Sequence, residues 1–432
     1  MPFRRVDALN ETMAPVCRPA RARAFTRISL AAALLIAACD ASEPAPPAQV
    51  ASTPIATPEG FENLTEENTA RIRAALSRVQ DGSGSATILF VGDSITAGSG
   101  TGSDRFYRDA ARRNYPSQLA ALVEDQMDIP VSRDGFLGHN NIHGTYPDYN
   151  SRVSSVGAFK PTGSNPSKTS LGGAMFEPAG QGAFAFRPDM PADRFQIRLA
   201  ANSGPASLQY RVDDGNWQTS DAVSGYGSID IALPSPARPT ISLQPSEDTR
   251  ALVHGILTQN TQQPRLNIVA AGFAGSTASR SWTVDAHPWS PLTRLAAEPA
   301  DLKVIALGTN DLNKNVSVDQ FAAAIERLVE AAKQQSDVLL LAPPTLDEGS
   351  DARAPSRHLE FRDALKAIAL KHGVAMGDNR QWFGGNYEAA MEDDLMKDSL
   401  HPSFAGAERQ AQYLLQYLLA VMQADFLEKS RK

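Results

Sequence analysis

Cysteine is almost missing from this chain: of 432 residues only Cys17 and Cys39 carry a thiol. Cys17 lies ahead of an apolar stretch at 28–38 that reads as the core of a cleaved signal peptide. The mature chain therefore keeps one thiol, and an intramolecular disulfide is excluded. Long apolar runs are also lacking. The stretch 28–38 is about 11 residues long, against roughly 20 for a helix that crosses a bilayer. Net positive charge is absent as well: the chain stands at -7. Removing 1–38, with six arginines against Asp7 and Glu11, takes it to about -11. Nucleic acid is a poor partner for so acidic a protein. Nor is there a metal-ligand pattern. His139 and His143 are four apart, but Gly138, Asn140, Asn141 and Gly144 make that segment a loop that lines a cleft instead. No cofactor is implied.

What the chain has is an ordered start followed by an α/β rhythm. Arg18, Arg21, Arg23 and Arg27 precede the apolar stretch, which ends in Ile36-Ala37-Ala38-Cys39. That ending resembles a bacterial lipobox, in which cleavage leaves a lipidated cysteine as the first mature residue. It implies a signal peptide at 1–38, a lipid on Cys39 and a location in the bacterial cell envelope, facing the periplasm or the exterior. Asp40 resembles the signal that keeps some such proteins at the inner membrane. Residues 39–59 are rich in Ala, Pro, Ser and Thr without any period, and read as a tether.

From there a helical face at 64–79 leads into Ile88-Leu89-Phe90-Val91-Gly92-Asp93-Ser94. A run of β-prone apolar residues that stops at Gly-Asp-Ser reads as a buried parallel strand presenting a serine at its C-terminal end. Helical patterns at 117–125, 318–335, 359–372 and 403–422 alternate with strand-like runs at 266–270, 304–307, 338–342 and 374–376. With the first strand, this predicts a doubly wound, flavodoxin-like parallel sheet of about five strands. The rhythm breaks at 135–259. Segments 195–199, 208–212, 229–233 and 241–243 alternate apolar with polar residues, and Asp213-Asp214-Gly215-Asn216 supplies a hairpin turn, which predicts an inserted β-sandwich. Trp217 in it suits either a sugar platform or the core.

Three further blocks follow the serine: Gly272-Phe273-Ala274-Gly275-Ser276-Thr277, Gly308-Thr309-Asn310-Asp311 and Asp398-Ser399-Leu400-His401. In this order the four blocks resemble the SGNH (GDSL-type) hydrolase family, over roughly 60–131 and 266–422. The resemblance implies a hydrolase domain in two parts, 60–134 and 260–432, around the insertion at 135–259, which looks like the carbohydrate-binding modules of some relatives. It implies Ser94 as nucleophile, His401 as general acid/base and Asp398 as its orienter. It also implies an oxyanion hole from the N–H groups of Ser94 and Gly275 and the amide of Asn310. Thr309 departs from the family, many of whose members carry a second glycine there, and Gly272 competes with Gly275 for the second block. Chemistry agrees with the triad, since a serine hydroxyl needs a base in reach and a third group to hold that base. Asp93 and Asp311 read as acceptors that fix loops.

The function expected is a membrane-anchored serine esterase that removes small acyl groups, acetyl above all, from a carbohydrate or polysaccharide. Two alternatives are an O-acyltransferase with the same triad and a non-catalytic polysaccharide-binding lipoprotein. The oligomeric state has no signature in the sequence.

Overall fold

The computed structural model describes residues 54–431 apart from 164, 247–249, 348 and 350–353. The signal peptide, Cys39 and most of the tether lie outside the described residues. In chain order, α1 (Ala70–Gln80) leads to β1 (Ala86–Gly92), the short α2 (Ser94–Ala97) and α3 (Tyr115–Met127). The middle of the chain supplies β2 (Phe136–Leu137), β3 (Phe184–Phe186), β4 (Ala192–Ala206), β5 (Leu208–Val212), β6 (Val223–Ala237), β7 (Ile241–Pro245) and β8 (Ala251–Gln259). The α/β rhythm then resumes with β9 (Leu266–Gly272), β10 (Leu302–Ala306), α4 (Thr309–Asn313) and α5 (Val318–Lys333). It closes with β11 (Asp337–Leu341), α6 (Pro355–His372), β12 (Ala375–Gly377) and α7 (Phe404–Arg431).

Strands β12, β11, β10, β1 and β9 lie side by side in that order and are parallel. Numbered by their place in the chain, this is the 2-1-3-4-5 order of flavodoxin-like sheets, so the sequence expectation of a doubly wound sheet holds. Its centre is β1, covered on both faces. Ile88 and Phe90 point into one core with Leu76, Leu119 and Leu418 from α1, α3 and α7. Leu89 and Val91 point into the other with Phe321, Leu328 and Phe361 from α5 and α6. Two-sided burial explains why β1 reads as an unbroken apolar run. Each such side chain contributes roughly 1.5–3 kcal/mol by leaving water.

The sheet does not end at β9. Phe136 of β2 pairs in parallel with Ala270, and β2 then pairs antiparallel with β8, β8 with β4, and β4 with β6. Residues from the middle of the chain thus continue the sheet without a break. A second antiparallel sheet runs through β5, β7 and β3. Phe195, Ile197 and Leu199 of β4 share one core with Phe184, Phe186, Leu208, Ile241 and Leu243 of that second sheet. Trp217 is half-buried beside β5, its ring under the Arg211 guanidinium at 4.9 Å.

Two helices start earlier than their apolar pattern suggests, for a local reason. At α3, Asn114 accepts the Ser117 N–H (2.9 Å) with Pro116 in the first turn, and at α6 Pro355 opens the helix.

Candidate active site

The rung at the end of β1 sets the site. Gly92 pairs with Gly272 of β9 on one side and Ala306 of β10 on the other. Ser94, Gly275 and Asn310 follow two, three and four residues after that common level, at the sheet edge where open α/β folds carry ligands. Close approach requires the glycine: a Cβ on Gly92 would stand 2.1 Å from Thr96 Oγ1 and 2.7 Å from Ala306 O. The chain then turns sharply. Asp93 Oδ1 accepts the Ile95 N–H (2.9 Å), capping α2 with Ser94 as its first residue, and Gly98 ends it in the left-handed region.

Asp398 and His401 lie in a tight bend ahead of α7. The helix itself begins only at Phe404, and Pro402 forms a bridge with Met396 instead of opening the helix. Asp398 Oδ1 accepts the N–H groups of Leu400 and His401, both at 2.8 Å, which folds the bend back on its own carboxylate. The same carboxylate reaches His401 Nδ1, with both oxygens at 3.0 Å, while His401 Nε2 stands 3.0 Å from Ser94 Oγ. With Nδ1–H donating to Asp398, Nε2 is left as the acceptor for the serine O–H. Phe106 meets the imidazole edge-on at 5.1 Å and holds the ring's other side. Burial pushes the Asp398 carboxyl up, but the bonds from His401 and Leu400 and the positive charge of His401 outweigh it and hold the carboxyl down at about 2. Asp93 goes the other way. Its full burial pushes the carboxyl up to about 6, against the opposing pull of the Ile95 N–H and His401.

Asn310 is the second residue of α4 and 8% exposed, and its Nδ2 is buried without a hydrogen-bond partner among the described residues. A buried amide that donates to nothing is costly unless something else arrives to accept. Asp311 beside it is fully employed. It takes Ala278 N–H (2.8 Å), Ser279 N–H (3.3 Å) and Ser279 O–H (3.1 Å), tying the Asn310 loop to the segment after Gly275. Asp93 and Asp311 are thus loop-fixing acceptors.

The two candidate glycines differ. Gly272 ends β9 pressed against α2, where a Cβ would meet Ala97 N at 2.2 Å. Gly275 sits in an exposed turn at φ 76°, with open space where a Cβ would be. Among the described residues its N–H has no backbone acceptor. Sequence reasoning missed what holds that turn: Asn140 Nδ2 donates to Gly272 O (2.7 Å) and Asn140 O accepts the Ala274 N–H (2.9 Å). The only signal was the polar loop itself. His139, next to it, packs against Tyr146 and Phe176 in the interior, and His143 is exposed. Burial lowers His139 to about 4. Among the described residues no group of three or more His, Cys, Asp or Glu is placed to hold a metal.

Residues 215–409 match the family described as GDSL-like lipase/acylhydrolase. That span takes in Gly275, Asn310, Asp398 and His401 and starts after Ser94. The matched span is just under half of the chain, and together with the fold it supports a carboxylic ester hydrolase with a GDSL-like segment. A solved structure titled a peptidoglycan O-acetylesterase is similar with a TM-score of 0.63, at 18% identity, over 82% of this chain and 96% of its own. An acetylxylan esterase from Geobacillus stearothermophilus is similar over 36% of this chain and 73% of its own, at 22% identity and a TM-score of 0.28. No curated protein matches the hydrolase by sequence.

Proposed function

We propose that the hydrolase removes acetyl groups from a carbohydrate, with Ser94 as nucleophile, His401 as general acid/base and Asp398 holding the imidazole. The observation that carries the reading is the continuous relay from Asp398 through both ring nitrogens of His401 to Ser94 Oγ, each step at 3.0 Å. His401 Nε2 takes the serine proton as Oγ attacks the acetyl carbon. It returns that proton to the departing sugar oxygen, and water repeats the cycle on the acyl-enzyme. The negative oxygen of the tetrahedral intermediate is received by the N–H groups of Ser94 and Gly275 and by Asn310 Nδ2, the donor that the resting site leaves unpaired.

A sugar polymer is favoured as the carrier of the ester because a solved structure of closely similar extent is titled a peptidoglycan O-acetylesterase. Peptidoglycan is therefore the first acetylated polymer to assay. Ser94→Ala should lose roughly 10³-fold or more in turnover while keeping its unfolding transition. Near wild-type turnover of Ser94→Ala on an ester that the parent cleaves would sink the assignment.

We place the enzyme in the bacterial cell envelope, held by a lipid on Cys39, on the strength of the basic, apolar and small-residue pattern that leads to that cysteine. Cys39→Ser should then shift the protein from the detergent phase to the aqueous phase or leave it unprocessed. Unchanged partitioning removes the anchor.

A further inference from the structure

Beside Gly275 the surface falls into a groove of about 320 Å³. One wall comes from the loops after β9, through Phe273, Gly275 and Ser281, and the other from Asn141, Pro166 and Thr169 in the middle of the chain. Among the described residues that line it, Arg280 and Lys314 are the only charged ones, and none is a carboxylate. In a chain of net charge -7, that is a local reversal of sign next to a proposed oxyanion donor.

Both cations are fixed to the catalytic loops. Lys314 follows α4, its N–H bonded to Asn310 O at 2.9 Å, and its Nζ donates to Gly275 O at 2.6 Å, which leaves two ammonium protons free to donate. Arg280 lies in the single helical turn Ala278–Trp282, whose first N–H groups are held by Asp311 and whose Arg280 N–H is held by Thr277 Oγ1 (3.2 Å). Among the described residues its guanidinium has neither an ion pair nor a hydrogen bond, and the residue is exposed. Its neighbours are different: Arg327 pairs with Asp285, and Lys168 pairs with Glu177.

We propose that this groove receives a carboxylate carried by the glycan near the acetylated hydroxyl, gripped by the Arg280 guanidinium with Lys314 adding a second positive charge. Arginine suits the task because its planar fork matches a carboxylate with two parallel donors. The substrate class is thereby narrowed to acidic acetylated glycans, with the acid on the ring, as in a uronic acid, or on a side group, as on a peptidoglycan strand. This rests on the esterase reading of Ser94.

The experiment measures kcat/KM on acetylated oligogalacturonate, O-acetylated peptidoglycan strands and neutral acetylated xylo-oligosaccharides. Wild type should favour one or both acidic substrates, and which of them it favours tells ring from side-group carboxylate. Arg280→Gln should cut that preference about five- to tenfold, Arg280→Glu should cut it further, Arg280→Lys should keep part of it, and added salt should shrink it in the wild type. No acidic preference in the wild type, or a preference untouched by Arg280→Glu, overturns the proposal. If the wild type cleaves no acetyl ester at all, the esterase reading fails separately. The groove is then tested by calorimetric binding of oligogalacturonate to the Ser94→Ala protein, which Arg280→Glu must weaken at least fivefold for the groove to stand.

Discussion

Asn310→Ala tests the oxyanion hole most directly, because the structure leaves its amide with nothing to do until the reaction supplies an acceptor. Nδ2 is buried and unpaired in the resting site. On the proposed reading this donor serves mainly the charged intermediate, so its loss should fall on kcat with KM little changed. One preorganised donor typically accounts for about 10²- to 10³-fold, or about 3–4 kcal/mol of barrier. Stability should move far less. An unsatisfied buried amide costs about 1–3 kcal/mol, so deleting it offsets much of the packing lost with the side chain, and the net change should stay within about 1 kcal/mol. Asn310→Asp, nearly the same shape, should be slower still, since a carboxylate there repels the oxyanion. The assay is steady-state hydrolysis of para-nitrophenyl acetate beside urea unfolding of the same preparations. A kcat for Asn310→Ala within threefold of wild type, or a loss carried by KM, refutes the reasoning.

Asp398→Asn removes the anion but keeps an acceptor near His401 Nδ1, and should cost about 10²-fold or more in kcat; full activity would show that the imidazole needs no orienter. Because the Asp398 carboxyl is held at about 2, the acid limb of the wild-type rate profile should not follow Asp398. Asp93 makes a prediction about stability. Its folded pKa of about 6 is raised above the ordinary 3.8, so its contribution is most favourable below pH 4 and is lost as pH rises through 6. Asp93→Asn keeps the acceptor for the Ile95 N–H without the buried charge, so it should gain up to about 3 kcal/mol on wild type between pH 4 and 7. A pH-independent difference in urea unfolding would count against that burial cost.

The parts legible in the sequence were those where local chemistry dictates residue type. Buried on both faces, β1 must be apolar throughout, and a serine that is to be presented at its end needs the tight Gly92-Asp93 turn that announces it. The long strands β4 and β6 were visible only in their middles, at 195–199 and 229–233. Beyond these, Asn202, Gly204 and Pro205 in β4 and Gly225 and Gly227 in β6 break the alternation: Gly225 and Gly227 still pair with Ala201 and Leu199, whereas 202–205 fall where the ladder between the two strands is interrupted. The junction of β9 with β2 and β8 was invisible for another reason. Its partners, such as Phe136 with Ala270, stand more than a hundred residues apart, and no local pattern encodes such a register. Arg280 and Lys314 escaped notice because a lone exposed cation looks the same anywhere in a sequence; only the fold places two of them beside Gly275.

That junction changes how the middle of the chain acts on catalysis. A module on a loose linker raises the local concentration of a polymer but has no hold on the geometry of the reacting atoms. Here Asn140 bonds to both Gly272 and Ala274, and Trp289 Nε1, from the segment after β9, donates to Ser167 O (2.9 Å). The loop that bears Pro166 and Thr169 is thus fastened to the same segment that presents Gly275. On the proposed reading, a glycan in the groove would meet a wall tied to the turn that presents Gly275, so binding energy gained along the polymer could orient the ester. Strand β2, bonded to β9 on one side and β8 on the other, makes the two halves one sheet. Cutting out the segment between them would expose the β9 edge and the core it covers. Single substitutions along the groove are for that reason the sharper probe of what the middle of the chain contributes.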